Sequence, residues 1–151
     1  MINDDILKKH DEAVSLCKNK CFAEAIPILQ ELVNTGYAPS QCSLGECYYR
    51  GFGVTQDYSK AFDLFGKAAQ QGNAIAQFNT GICYLRGHGA QRDGDKGVEW
   101  LHRAKDQGID QAKKILKEID RILSKKKKSS GLKIDLYDAA FYAQLASYLF
   151  W

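Results

Sequence analysis

Apolar residues recur at helical spacing in two stretches between residues 74 and 108, and a glycine-containing segment separates the two stretches. The first stretch, at about 74–86, has small and apolar residues three and four positions apart, which predicts a helix with one packed face. Gly87 and Gly89 then permit the positive φ angles of a tight connection. Asp93 follows at the position of an N-cap, and Gln107 with Gly108 ends the second stretch. The pattern therefore predicts a pair of helices.

The same pattern occurs twice without insertion or deletion, because residues 41–72 correspond to residues 77–108 at a period of 36 residues. The matched positions include Gln41 with Gln77, Gly45 with Gly81, Cys47 with Cys83, Tyr48 with Tyr84, and Asp57 with Asp93. One further period before Gly72 lies Gly36, so a divergent copy of the second half precedes the two clear copies. Periods in this range are typical of helical repeats that stack on their neighbours.

The residues that fix this register resemble the Sel-1-like repeat, a relative of the tetratricopeptide repeat, over residues 39–110. They are Gln41, Leu44, Gly45 and Tyr48, then Gly51, Gly53 and Val54, then Asp57, Tyr58, Lys60 and Ala61, and finally Lys67, Ala68, Ala69 and Gly72. The second copy departs from the family pattern at Thr80, Ala90, Gly97 and Lys105. The resemblance implies an all-α fold, a right-handed antiparallel helix-pair solenoid, that serves as an adaptor or scaffold in protein complexes.

We therefore expect a helical-repeat domain over residues 1–124, made of a first unit (about 4–36), a second unit (39–72), a third unit (75–108) and a capping helix (110–124). In the capping helix, apolar residues can close the stack while lysines face water. Lys125 to Lys128 with Ser129, Ser130 and Gly131 suggest a basic flexible linker over 125–133. Residues 134–151 are then expected to form an apolar, aromatic C-terminal helix, here called the tail.

A stripe of residues on the first helix of each repeat is the candidate protein-binding face. In the third unit, Phe78, Ile82 and Leu85 are spaced at i, i+4 and i+7, on the side expected to be concave. With the matching positions of the second unit and two arginines, the candidates are Glu46, Tyr49, Arg50, Phe78, Ile82, Leu85 and Arg86. Aromatic and arginine side chains are enriched at interface hot spots. The alternative is that the stripe is core, covered by another part of this chain.

The tail is the obvious candidate for that cover, because it is almost wholly apolar and needs burial. Its candidate contact residues are Tyr137, Phe141, Tyr148, Phe150 and Trp151. The sequence favours docking of the tail on the chain's own solenoid or, as a homodimer, on that of a second copy. Docking on an unrelated partner and contact with a membrane surface are both less favoured. A span is disfavoured because the run is short and contains Asp138.

Charge, cysteine content and the N-terminal sequence give expectations about nucleic-acid binding, disulfides and localisation. The formal net charge is +3, and the basic residues concentrate in the capping helix and linker, so we expect no nucleic-acid binding. Five cysteines without a C-x-x-C pair predict buried free thiols at Cys47 and Cys83, and only Cys17 and Cys21 suggest a possible bridge. An acidic start without a signal-like apolar region predicts a cytoplasmic protein.

No spacing typical of a catalytic, cofactor or metal site occurs in the sequence, so we expect no catalytic residues, no cofactor and no metal. His10, His88 and His102 are scattered, and His88 between loop glycines suggests an exposed side chain. Glu99 and His102 lie one turn apart and suggest a surface contact. Cysteine-rich members of the resembling family are linked to β-lactam binding or hydrolysis, but their paired cysteines are missing here.

The sequence thus predicts a small, non-catalytic, bacterial protein that binds another protein on its concave face. One specific role is that of an immunity protein that neutralises a cognate toxin. The alternative is an adaptor or scaffold in a signalling or secretion complex, and a β-lactam-binding hydrolase is the alternative of another class.

Overall fold

The protein is a stack of antiparallel helix pairs in the computed structural model, which describes residues 3–130, 141–142 and 144–146. Its helices are α1 (Asp4–Lys18), α2 (Phe22–Asn34), α3 (Ala38–Arg50), α4 (Tyr58–Gln70), α5 (Ala74–Arg86), α6 (Gly94–Asp106) and α7 (Asp110–Ser130). Helices α1–α2, α3–α4 and α5–α6 form the three units, and the described part of the chain contains no strand. The predicted all-α helix-pair solenoid is confirmed.

The second helix of each full repeat begins where the sequence places an aspartate. The Asp57 side chain accepts a hydrogen bond from the Lys60 amide at 3.0 Å, and Asp93 accepts one from Lys96 at the same distance. An N-cap of this kind stabilises a helix by about 1 kcal/mol, because it satisfies an amide that the helix itself leaves unpaired. Both predicted caps are therefore present.

Glycines allow the two helices of a repeat to pack closely. A β-carbon on Gly45 would lie 2.8 Å from the Phe65 ring of α4, and one on Gly81 would lie 3.0 Å from Leu101 of α6. Phe65 and Leu101 occupy the same repeat position and are almost fully buried. The large side chain of the second helix thus fills the space that the glycine of the first helix leaves open.

A glutamine at the end of α4 and of α6 joins the second and third units to the unit before them. The Gln71 amide donates to the Gly36 carbonyl at 3.0 Å and to the Gln41 side chain at 2.8 Å. One period later, Gln107 donates to the Gly72 carbonyl and to Gln77, both at 2.8 Å. The bonds to the Gly36 and Gly72 carbonyls join successive units, and the bonds to Gln41 and Gln77 lie within one unit. Because both kinds of bond recur with the 36-residue period, the two joints have the same geometry.

Helix α7 closes the stack through one apolar face, as the capping prediction requires. Its buried residues are Ala112, Ile115, Leu116, Ile119 and Ile122. The helix continues to Ser130, so Lys125 to Lys128 are helical where the sequence suggested a flexible linker. No proline or glycine interrupts residues 110–130, and lysines near a helix C-terminus interact favourably with the helix dipole. Residues 131–133 of the expected linker lie outside the described residues.

Membrane crossing was the least favoured fate of the tail. Among the described residues, none of the helices has the length and apolar character that crossing a membrane requires.

The loop glycines offer a matched test of the packing between units. Gly89 and Gly72 both have positive φ, so alanine is strained at either position. A β-carbon on Gly89 would also lie 2.1 Å from the Tyr58 carbonyl of the preceding unit, whereas one on Gly72 would meet nothing within 4 Å. We expect Gly89→Ala to lower the free energy of unfolding by about 1–3 kcal/mol more than Gly72→Ala. Urea unfolding followed by circular dichroism measures both; equal losses would contradict the close contact.

Candidate protein-binding groove

A groove runs along the first helices of the three units. Its N-terminal part, with a volume of ≈ 280 Å³, is lined by Val14, Cys17, Lys18, Phe22, Ser43, Glu46, Cys47 and Phe52. Its central part, with a volume of ≈ 120 Å³, is lined by Glu46, Tyr49, Arg50, Phe65, Phe78, Asn79, Ile82 and Arg86. Glu46 belongs to both parts, so the surface continues from α1 across α3 to α5.

The central part of the groove brings together most of the predicted binding residues. Six of the seven line it: Glu46, Tyr49, Arg50, Phe78, Ile82 and Arg86. Leu85 does not, because it packs against α6, where a β-carbon on Gly97 would lie 2.8 Å from its side chain. Leu85 is 2% exposed and Ile82 is 7% exposed. For Leu85 the structure therefore supports the alternative interpretation that it is part of the core.

The rim of the central part carries opposite charges. Arg50 Nε lies 3.1 Å from Glu46 Oε1, one helical turn away on α3, and about half of each side chain is exposed. Exposed pairs of this kind contribute little to stability, because water screens them. Both groups therefore remain available to pair with charges on a partner.

A partly buried polar network at Tyr49 joins the second unit to the third. Arg86 Nη1 donates to the Tyr49 hydroxyl oxygen at 3.0 Å, and that oxygen lies 2.8 Å from His88 Nδ1. In the neutral His88 tautomer with its proton on Nε2, the Tyr49 hydroxyl donates to His88 Nδ1 while its oxygen accepts from Arg86. Burial raises the pKa of Tyr49, and the Arg86 hydrogen bond opposes that rise.

His88 is half-buried and stacks on the preceding unit, so the expectation of an exposed loop histidine is wrong. Its ring lies 4.1 Å from that of Tyr58, at an interplanar angle of 11°. One period earlier, Phe52 stacks on Phe22 at 4.9 Å and 18°. The sequence signal was the alignment of His88 with Phe52, since an aromatic ring at both loop positions suggests a shared contact. Burial lowers the pKa of His88, and the charges of Arg86 and Arg92 lower it further.

The described part of the tail packs on its own chain. Phe141 and Leu145 are 0% exposed, and they join a cluster that contains Ile82 and Leu85 of α5 together with residues of α6 and α7. The guanidinium of Arg92 lies 4.7 Å from the centre of the Tyr142 ring. These contacts cover the apolar stripe at the C-terminal end of the groove. The remaining tail candidates, Tyr137, Tyr148, Phe150 and Trp151, lie outside the described residues.

The groove does not end abruptly at the tail. A further cavity of ≈ 140 Å³ lies between them, lined by Leu85, Arg86, His88, Arg92, Tyr142, Leu145 and Ala146. Arg86 lines both this cavity and the central part of the groove. The open groove and the tail-covered stripe are thus two stretches of one continuous surface.

Comparison with known proteins identifies the repeat. The family model of the Sel1 repeat matches residues 38–73 and 74–109, which are the second and third units. The chain thus contains two Sel1 repeats. Proteins of this family generally act as protein–protein interaction modules and non-catalytic scaffolds. A search of curated proteins found no match.

Solved structures of Sel1-like repeat proteins share the fold. A Sel1 repeat protein from Oxalobacter formigenes is 37% identical, with a TM-score of 0.62, over 64% of this chain and 28% of that one. A protective antigen of uropathogenic Escherichia coli is 24% identical, with a TM-score of 0.64, over 98% of this chain and 34% of that one. Cysteine-rich protein B of Helicobacter pylori is 18% identical, with a TM-score of 0.58, over 76% of this chain and 97% of that one. This chain thus spans about a third or less of the length of the first two relatives.

Glu99 and His102, one turn apart on α6, do not pair with each other in the structure. Glu99 pairs with Arg103 at 2.6 Å rather than with His102, whose ring nitrogen lies 3.4 Å from Lys105. Among the described residues, no group of three or more potential ligands could hold a metal ion. Cys42 and Cys83 are free and buried, and burial raises the pKa of each thiol to about 12. The groove is therefore the candidate functional site.

The tail contact predicts a large stability loss on truncation of one ring. We expect Phe141→Ala to lower the free energy of unfolding by about 3–5 kcal/mol, because the ring is fully buried in the α5–α7 cluster. Leu7→Ala is the matched apolar control, since Leu7 is 42% exposed, and should cost less than about 0.5 kcal/mol. Denaturant unfolding provides both values. A Phe141→Ala effect as small as the control would show that the tail is not docked in solution.

The half-buried His88 predicts a loss of stability in acid. Its pKa in the folded protein lies below the ordinary value of 6.5, so the unfolded chain binds more protons as the pH falls through this window. The contribution is fully present above the unfolded pKa and is lost as the pH falls toward the folded pKa. His10, whose pKa is also lowered by burial, adds to the same trend.

His88→Phe separates the contribution of His88 to the pH dependence from that of His10. The variant has the ring type found one period earlier, at Phe52, and lacks the titrating group. We expect the variant to lose less stability than the wild type between about pH 7 and about pH 5, although its stability at neutral pH falls through loss of the Tyr49 contact. Urea unfolding at several pH values measures the slope. An unchanged slope would contradict the lowered pKa of His88.

Proposed function

We propose that this protein is a non-catalytic interaction module that binds a segment of another protein in the groove formed by α1, α3 and α5. The observation that carries the proposal is the convergence of Glu46, Tyr49, Arg50, Phe78, Ile82 and Arg86 on one open groove. Aromatic, aliphatic and arginine groups together are typical of interface hot spots. The general role of Sel1 repeat proteins in protein binding supports it.

The central part of the groove is preorganised for binding, because its Tyr49 side chain is held in place without a partner. The Arg86 and His88 contacts fix the orientation of Tyr49, so little side-chain freedom remains to be lost there on association. The centre of the Phe65 ring lies 6.2 Å from the centre of the Tyr49 ring. Tyr49 and Phe65 therefore offer a partner a fixed aromatic surface. The exposed side chains of Glu46 and Arg50 beside them can reorient to pair with charges of the partner.

The docked tail indicates the kind of segment that the surface accepts. Phe141, Tyr142 and Leu145 are spaced at i, i+1 and i+4 in helical residues, and all three are buried on the covered stretch. Helix-in-groove recognition uses apolar residues at i, i+3, i+4 and i+7 on one helix face, and Phe141 and Leu145 at i and i+4 fit that spacing. We infer a partner segment with such a face, flanked by charges complementary to Glu46 and Arg50.

The roles of adaptor and of immunity protein are narrower forms of this function, and both use the same groove. They differ in the partner, which is a component of a signalling or secretion complex in one case and a cognate toxin in the other. A toxin gene beside the gene for this protein supports the immunity role. An operon for regulation or secretion supports the adaptor role.

Charge reversal at the rim tests the proposal. We expect Arg50→Glu to weaken partner binding by about tenfold or more, because it replaces a pairing group with a repelling one inside the groove. Lys67→Glu makes the same change in charge on α4, at a position outside the groove lining, and it should leave affinity unchanged. Partners captured by the wild type are compared with those captured by each variant, and the affinity of a purified partner is then measured by calorimetry.

The two variants distinguish groove binding from general charge effects. Similar losses for both would indicate nonspecific electrostatics, and no loss for either would place the binding surface elsewhere. Because neither Arg50 nor Lys67 is buried, circular dichroism should show the same helicity for the two variants.

A further inference from the structure

Two thiols from different units meet in the N-terminal part of the groove. Cys17 lies near the end of α1, and Cys47 lies near the end of α3. Both line the same cavity, and Cys17 packs against the buried cluster that contains Cys47. This pairing differs from the bridge that the sequence suggested between Cys17 and Cys21. The Cys21 sulfur instead contacts the Asn19 carbonyl at 3.6 Å.

The Cys17 and Cys47 side chains interact directly, since each affects the pKa of the other. Burial is the largest influence on both groups; it leaves the pKa of Cys17 raised and that of Cys47 at about 12. The carboxylate of Glu46 also raises both pKa values, and Lys18 is the other charged residue of this cavity.

We propose that Cys17 and Cys47 form a redox-sensitive pair that closes to a disulfide between α1 and α3 in the presence of a low-molecular-weight disulfide. The geometry assigns the order of the steps. Cys17 is the less buried of the two thiols and is therefore the more accessible to a small disulfide in solvent. It therefore reacts first, and Cys47 resolves the intermediate.

The exchange balances in two steps. The Cys17 thiolate attacks one sulfur of the small disulfide, forms a mixed disulfide and releases one small thiolate, which takes up a proton. Cys47 then loses its proton to solvent, and its thiolate attacks the Cys17 sulfur and releases the second small thiolate, which is protonated in turn. Two protein thiols are oxidised, and the small disulfide is reduced to two thiols.

The closed form links the N-terminal helix to the second unit. The disulfide would close a loop from residue 17 to residue 47. This loop contains α2 and most of α3. A cross-link of this length restricts the unfolded chain and raises the stability of the folded form. It also joins two walls of the groove, whatever partner the groove binds.

Peptide mapping by mass spectrometry tests the pair directly. The reduced full chain is incubated with oxidised glutathione under native conditions, alkylated and digested. We expect a cross-linked pair of peptides containing Cys17 and Cys47, and a fall in free thiols from the five of the sequence to three. The rate should rise with pH, because the attacking group is a thiolate, and thermal unfolding of the oxidised form should shift upward.

Single substitutions provide the controls. Cys21→Ser should cross-link as the wild type does, whereas Cys17→Ser should retain its thermal unfolding temperature after the same treatment. Because Cys17 is only half-buried, its replacement is compatible with folding. A bridge between Cys17 and Cys21, mixed glutathione disulfides alone, or cross-linking that requires denaturant would each overturn the proposal.

Discussion

The constraint on which this structure depends is that no helix pair can bury its apolar face alone. Each unit therefore leaves a surface that the next unit must cover, and the contacts that position neighbours recur with the period of the sequence. The amide of Gln71 or Gln107 fixes one end of each joint, and the stacked rings of Phe22 with Phe52 and of Tyr58 with His88 lie at another. At the last repeat the apolar surface must be covered in a different way, because no further unit follows among the described residues.

Helix α7 and the tail provide that solution together. Helix α7 contributes an apolar face in the position of a further first helix, and Phe141 and Leu145 complete the cluster beside it. Tyr142 contacts the Arg92 guanidinium near the start of α6, whereas the starts of α2 and α4 receive an aromatic ring from the loop of the next unit. Because the tail packs in the cluster that contains Ile82 and Leu85 of α5, the remaining groove is centred on Tyr49 and on the Glu46 and Arg50 pair.

The repeated features of this fold could be predicted from the sequence, because each follows from a local rule. The period, the aspartate caps at Asp57 and Asp93, and the capping face of α7 depend on spacing within one or two helices. The burial of Leu85 in the core could not be predicted, since it depends on the close approach of Gly97 in α6 and on the tail. The pairing of Cys17 with Cys47 likewise depends on how α1 lies against α3, and no spacing along the chain indicates it.

The central claim is that the tail closes the solenoid at the third unit and leaves the groove over α1, α3 and α5 open. Amide hydrogen exchange of the full chain and of a chain ending at Ser130 tests it most directly. The account predicts that amides of α5, α6 and α7 exchange at least about tenfold faster without the tail, while those of α1 and α2 keep their protection. Unchanged protection in α5 to α7 would contradict the account, because it would show that the tail is not part of the fold.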